Sequence, residues 1–555
     1  MERLDAIVIG NYAYTDKAMI TTGGVVHNFK LYLDDYQCSF DFLRRYFKHG
    51  RDLEATKAEW DSIPRVAHSP TFLNAIYISD LLRKKLGFTV KTINNFADEI
   101  ETVDRYLELR PRYGIISSSL IIFPGLISEI TDYMKERVPG IKVIIGGTKI
   151  FKSYKIRQLY DRGELIDFPL EWLTKMHYFF GNRKDRSDYY VVNSRGETTL
   201  LELLRMIDRG DDPRGLPNLA YYDGDEFVMN EVTQEPYILE DFSIDWWSVD
   251  EDIIGFEIPV SIKQGCPYRC SFCDFVGLER KLVTRRWDLV LSELRAMSER
   301  FTGKSVCCVD ENLFLNKDSL KSFCRNLIKA KLDIRWRGFT RTDVIDNETA
   351  ELLRESGCYS MALGVESGDA EILKHMSKQV GPERALEAIY ALNRVGINTY
   401  STLFMGFPCE TEETVQNTID FLNSYPTNEP GLNFYSVNAF LVLPISPVST
   451  PEMRKKYRLS GYYDKWKHLT MDSEEAVRHV IRLFKEVHNC YFVYLDSNEN
   501  SLLDGSVPQH REIVKTRQQI VQGRINGMTN EEEARLWDRL DSLFATLEED
   551  SRVRL

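Results

Sequence analysis

Through the first third of the chain, short apolar runs alternate with longer stretches in which apolar positions recur every three or four residues. DAIVIG (5–10), FTVKTI (88–93), YGIISSS (113–119) and KVIIGG (142–147) read as buried strands. NAIYISDLLRKKLG and ISEITDYMKERVPG read as helices between them, stopping at Gly87 and at Pro139-Gly140. This alternation predicts a doubly wound, Rossmann-like α/β domain over residues 1–170. Ligands of such sheets lie beyond the carboxyl ends of the strands, which nominates Gly10, Asn11, Ser117, Ser118, Ser119, Gly146 and Gly147. Small residues there let a large flat ligand approach the backbone. An insertion over about 11–68 is far longer than an ordinary strand-to-helix loop. It carries TTGG, the aromatic-rich KLYLDDYQCSFDFLRRYF and His27, His49 and His68, and reads as a cover over the ligand edge or as a surface insertion.

A second alternating series starts near residue 251. IPVSIKQ, SVCCVDENLF, IRWRGF, MALGVESG, NTYSTLFMGFP and VNAFLVLP are strand candidates, interleaved with amphipathic stretches such as WDLVLSELRAMSERF and PERALEAIYALNRVG. The spacing predicts a partial (β/α)6 barrel over 251–450. A connecting segment with a hairpin fills 171–250, and a charged, helical region follows over 451–555.

Composition narrows the function classes. The chain has 555 residues, 43% hydrophobic and 28% charged, enough for two or three globular domains. A net charge of −13 argues against a nucleic-acid-binding surface. Ten cysteines are too sparse for a disulfide scaffold. The most apolar region, 113–130, is broken by three serines, Pro124 and Gly125, so it reads as a strand and loop rather than a membrane span. The segment MERLDAIVIG lacks the basic and long apolar parts of a leader, and the expectation is a cytoplasmic protein without membrane partners.

The candidate chemistry lies in IKQGCPYRCSFCDF (262–275), with Cys266, Cys270 and Cys273 at the rim of the predicted barrel. Closed zinc and iron–sulfur sites usually take four protein ligands; here three fall within eight residues and no fourth is near, which leaves one coordination position open. A four-iron cluster held by three thiolates has one iron free for a small molecule. The alternative is a structural zinc completed by a distant ligand.

The C-x3-C-x2-C pattern, with Phe272 before its last cysteine, resembles the radical S-adenosylmethionine (SAM) superfamily. GVESGDAEIL is similar to that superfamily's fourth-strand segment. GFPCETEETVQNTIDFL is similar to its G-x-P-G-E-T element, with Cys409 where glycine is usual, and VDENLF and LPISP also match in order. The resemblance implies a 4Fe-4S cluster on Cys266, Cys270 and Cys273. It also implies SAM contacts from Phe272, Arg341, Glu366, Ser367, Gly406 and Val442. The structural alternatives are that Glu366 caps the next helix and Arg341 pairs with Asp343; Asp310 and Glu311 face either solvent or substrate.

The first domain resembles the cobalamin-binding domain that precedes the barrel in one branch of these enzymes. The likeness runs through NAIYISDLLRKKLGFTV, the serine run, IIGG, VVNSRGETTLLELL (191–204) and PNLAYYDGDEFVMNE (217–231). It implies cobalamin, as methylcobalamin, on Gly10, Asn11, Ser117, Ser118, Ser119, Gly146 and Gly147. The chain has no D-x-H-x-x-G, so histidine ligation of the cobalt is not expected. The implied function is a methyltransferase acting on an unactivated carbon or phosphorus of a small molecule in natural-product biosynthesis, with a flavodoxin or ferredoxin as reductant. No catalytic side chain is assigned. A radical cyclase or isomerase that binds cobalamin without methyl transfer is the alternative within enzymes, and a non-catalytic zinc- or cofactor-binding protein is the alternative outside them. GYYDKWKHLTMDSEEAVRHV (461–480) reads as a loop entering a helix capped by Asp472 or Ser473, in which Trp466, His468 and Met471 are packing or substrate residues.

Overall fold

A computed structural model of the chain describes residues 4–13, 31–33, 36–38, 46, 48–61, 70–121, 123–180, 186–224, 226–278, 282–493 and 507–553. The predicted strands of the first domain form β1 (Ala6–Asn11), β2 (Val90–Asn95), β3 (Tyr113–Ser117) and β4 (Lys142–Gly146). β1 pairs in parallel with β2 and with β3, and β3 pairs in parallel with β4. Alternation along β1 sends Ala6 and Val8 into one apolar layer and Ile7 and Ile9 into another, so both faces of the sheet are covered. The helix Leu73–Leu86 ends where Gly87 turns left-handed at φ 69°, as its sequence predicts.

Segment 171–250, read from sequence as a connection, adds three strands to this sheet. β5 (Tyr189–Val191) is parallel to β4, and the hairpin β6 (Leu219–Tyr222) and β7 (Phe227–Met229) continues antiparallel, giving the order β2-β1-β3-β4-β5-β6-β7. These strands have only three or four residues, too few for alternation to announce them. Within the insertion, a hairpin (Leu31–Leu33 with Tyr36–Cys38) and a helix (Leu53–Asp61) are described; TTGG, His27 and His68 lie outside the described residues.

The barrel is open and wholly parallel, in sequence order: β8 (Glu257–Val260), β9 (Ser305–Cys308), β10 (Arg335–Thr340), β11 (Cys358–Glu366), β12 (Asn398–Met405) and β13 (Asn433–Ala439). A short seventh strand, β14 (Tyr491–Phe492), extends it beyond the six expected. The core of the barrel is continuous with one face of the first sheet, through the helices Leu73–Leu86 and Glu197–Arg209 and the segment around Phe242 and Trp246. Helices Pro508–Ile525 and Asn530–Val553 pair through Ile513, Ile520, Trp537 and Leu540, and Val514 seats the first of them on Phe434 of β13. No described helix is long and apolar enough to cross a membrane.

Candidate active site

The cysteine loop leaves the carboxyl end of β8 and is held by backbone on both sides. The Ser271 amide donates to the Met376 carbonyl (2.9 Å), and the Val448 amide donates to the Ser271 carbonyl (2.8 Å). Gly277 lies so close to the Ile445 carbonyl that a Cβ would come within 2.7 Å of it. Cys266, Cys270 and Cys273 are unpaired and half-buried. Burial raises the Cys273 thiol to about 11 and raises Cys270 too, opposed at Cys270 by the charges of Lys378 and Arg341. Three half-buried thiols without disulfides are free to bind metal as thiolates. Among the described residues no three His, Cys, Asp or Glu side chains converge on a point one ion would fill. In a cluster each thiolate takes a different iron, so three thiolates suit a four-iron cluster that keeps one iron open.

Of the predicted SAM residues, Phe272 lies in this loop, Arg341 stacks on its Tyr268 and the charge of Glu366 reaches Cys270; several of the set are engaged by protein groups. Phe272 meets Phe404 edge-on at 4.9 Å, and Phe404 stacks on Phe440. Arg341 chelates Asp343 (3.0 and 3.1 Å) beneath Tyr268, 3.9 Å from the ring centre, so the pairing foreseen as its structural alternative is present. Glu366 stands at a bulge between β11 and β12, at φ 70°, and pairs with Lys378 at 3.0 Å. The next helix is capped instead by Asp369, which accepts from the amides of Glu371 and Ile372. Ser367 is fully buried and accepts from the Asp369 amide. Val442 exchanges both backbone hydrogen bonds with Tyr463.

Gly406 sits in a braced turn. Its φ is 94°, and a Cβ would strike Trp466 and Ala476 at 2.6 Å. Its amide donates to Glu410, whose carboxyl is wholly buried and raised to about 8, and its carbonyl meets His468 Nε2 at 3.0 Å. His468 is therefore a packing residue: Trp466 stacks on it and donates to the Phe440 carbonyl. Thr411 caps the helix Glu412–Asn423, and Asp472 caps Ser473–Glu486. Cys409 has φ 80°, the conformation that explains glycine at this place in the resembled element.

At the first domain's ligand edge the nominated residues divide. Gly10 packs against Ala75, and Asn11 is buried, donating to Ala13 and Asn95. Ser117 accepts from Asn74, and the Ser118 hydroxyl donates to the Gly146 carbonyl. Ser119, Gly146 and Gly147 remain on the accessible rim. Gly147 has φ 103°, and its Cβ would lie 2.8 Å from Ser119 Oγ. Glycine and hydroxyl at Ser119, Gly146 and Gly147 suit the close approach of a flat group such as a corrin.

Lys152, Arg195 and Lys263 were not nominated from sequence, whereas Asp310 and Glu311 were read there as facing either solvent or substrate. Lys152, one turn into the helix after Gly147, pairs with Asp274, the neighbour of Cys273, at 2.6 Å. Arg195 donates to Gln264, two residues before Cys266. Asp310 turns inward and fastens the end of β8 by accepting from Ser261 Oγ and the Ile262 and Lys263 amides; burial raises its carboxyl to about 6. Glu311 faces outward and accepts from the Gly265 amide. Long-range pairs of this kind carry no local sequence signal. Lys263, inside the quoted cysteine stretch, was signalled only by its position.

Residues 260–422 match the Radical SAM superfamily. An uncharacterized methyltransferase of Pyrococcus horikoshii is 27% identical over 42% of this chain and 52% of its own length. An anaerobic magnesium-protoporphyrin IX monomethyl ester cyclase of Cereibacter sphaeroides is 23% identical over 60% of this chain and 53% of its own. The chain thus spans about half the length of these relatives. The radical SAM methyltransferase TsrM from Kitasatospora setae, solved with tryptophan and a SAM analogue, shares the fold over the whole of both chains, at TM-score 0.59 and 15% identity.

Proposed function

We propose that this radical SAM protein is a cobalamin-dependent methyltransferase acting on a small molecule. The observation that carries the reading is the Lys152–Asp274 pair, which joins the helix rising from Gly147 to the residue after Cys273. It sets the rim suited to cobalamin against the loop suited to the cluster. When bound, the cluster and SAM supply a one-electron-generated radical, and cobalamin supplies a carried methyl group. The chain's part is to hold and orient. Cys266, Cys270 and Cys273 anchor the cluster. Arg341, Glu366 and Lys378 present charge to the polar end of SAM, and Phe272, Phe404 and Phe440 form the apolar wall beside it. Ser119, Gly146 and Gly147 leave the first sheet's edge open to the corrin. The natural-product substrate and a flavodoxin or ferredoxin donor belong to this proposal.

A second reading, a cobalamin-binding radical cyclase, is favoured by the Cereibacter relative. Product analysis after anaerobic incubation with SAM, reductant and candidate substrates separates them. The methyltransferase forms S-adenosylhomocysteine together with 5′-deoxyadenosine; the cyclase forms 5′-deoxyadenosine without S-adenosylhomocysteine.

A further inference from the structure

We infer that Lys263 is a positioning residue, the buried cation that offsets the negative charge of the iron–sulfur cluster at its Cys266 corner and eases its one-electron reduction. The inference rests on the reading that the cysteine trio holds a cluster. Lys263 is 5% exposed, and its Nζ has no hydrogen-bond partner among the described residues. It lies on a two-residue ladder, Lys263 opposite Thr284, and Gly265, at φ 93°, turns the chain from it into Cys266. Burial lowers the Lys263 ammonium below the ordinary lysine value, opposed by the charges of Asp310, Cys266 and Glu311. Neither acid closes on the ammonium. Asp310 accepts from Ser261 Oγ at 2.9 Å, the Ile262 amide at 3.0 Å and the Lys263 amide at 2.9 Å, while Glu311 accepts from the Gly265 amide at 3.3 Å.

The other cations at the cysteines differ. Arg341 and Lys378, which act on Cys270, each have a carboxylate inside the protein, Asp343 and Glu366. A buried ammonium with no carboxylate paired directly to it is costly to keep, and the negative group that would enter beside Cys266 is the thiolate-bound cluster. The step is the transfer of one electron from an external one-electron donor to that cluster. No bond forms or breaks, and Lys263 keeps its proton. A fixed cation close by favours the more negative, reduced state.

The experiment is a dithionite titration of the reconstituted full-length protein, first without and then with SAM, followed by electron paramagnetic resonance at matched iron content. In Lys263→Met the reduced-to-oxidised ratio at a given potential falls about tenfold, a midpoint lower by about 59 mV for one electron. Lys263→Arg stays near the wild type, and Glu311→Gln, which removes a negative charge from the same neighbourhood, shifts the midpoint upward. If Lys263→Met does not retain iron, Lys263→Arg and Glu311→Gln carry the test. An unmoved midpoint in Lys263→Met overturns the inference. So does a shift that appears only with SAM bound, because the counter-charge is then the SAM carboxylate. In the fallback case an unmoved midpoint in Glu311→Gln overturns it. A wild-type protein without a cluster defeats the underlying reading instead, which keeps the two failures apart.

Discussion

The rim of the first sheet and the cysteine edge of the barrel are both ligand edges of parallel α/β sheets, yet they are built on opposite plans. At the first sheet, polar side chains near the strand ends are engaged within the protein: Asn74 binds Ser117 and Gly10, and Ser118 binds Gly146. The nominated residues that face outward, Ser119, Gly146 and Gly147, are small. At the barrel, side chains stay available to a ligand: three free thiols and an ammonium with no hydrogen-bond partner among the described residues. A surface for a large flat group is made by leaving atoms out, whereas a centre that binds metal and moves charge is made by keeping reactive groups unsatisfied.

The contrast is broken most severely at the thiols. Changing Cys266, Cys270 or Cys273 to alanine should remove nearly all cluster iron and the visible absorbance, while the protein retains cobalamin; iron assay and absorbance of the anaerobically purified variants check both. Gly147→Ala attacks the other edge through shape. It places a Cβ 2.8 Å from Ser119 Oγ at φ 103°, and should cost about 1–3 kcal/mol and lower cobalamin retention while iron stays bound.

A third test uses pH. Glu410 is raised to about 8 by burial, from an ordinary 4.5. The folded state then binds more protons than the unfolded state between those values, so the contribution of this group to stability is present below about 4.5 and lost as pH rises through about 8. Urea unfolding across that range should show a decline that Glu410→Gln flattens. Glu99 and Glu197, raised to about 7, add to the wild-type slope and remain in the variant.

The smallest effects are expected at two places. Lys152→Ala removes a partly exposed interdomain pair and should cost up to about 1 kcal/mol. Cys409→Gly relieves a left-handed residue and should stabilise the fold by about 1 kcal/mol in thermal unfolding.

What the sequence disclosed follows the same division. Strands such as AIVIGN and helices such as LNAIYISDLLRKKL are written in periodicity, and the cysteine loop in spacing. The hairpin in 171–250 was expected, but the three-residue strand β5, and the joining of all three strands to the first sheet, were legible only as a connection, since pairing rather than pattern defines them. Gly10 and Asn11 were placed at the correct strand end, but which side of that end faces out depends on Ala75 and Asn95, distant in sequence. Lys378, Lys152 and Arg195 reach the site through contacts that no local motif encodes.

The most direct measurement is metal and cofactor content of the protein purified without oxygen from cells supplied with cobalamin. The account predicts about four iron and about one cobalamin per chain, with little zinc. Zinc in place of iron would contradict the reading of the cysteine loop, and iron without cobalamin would contradict the reading of the first sheet's rim.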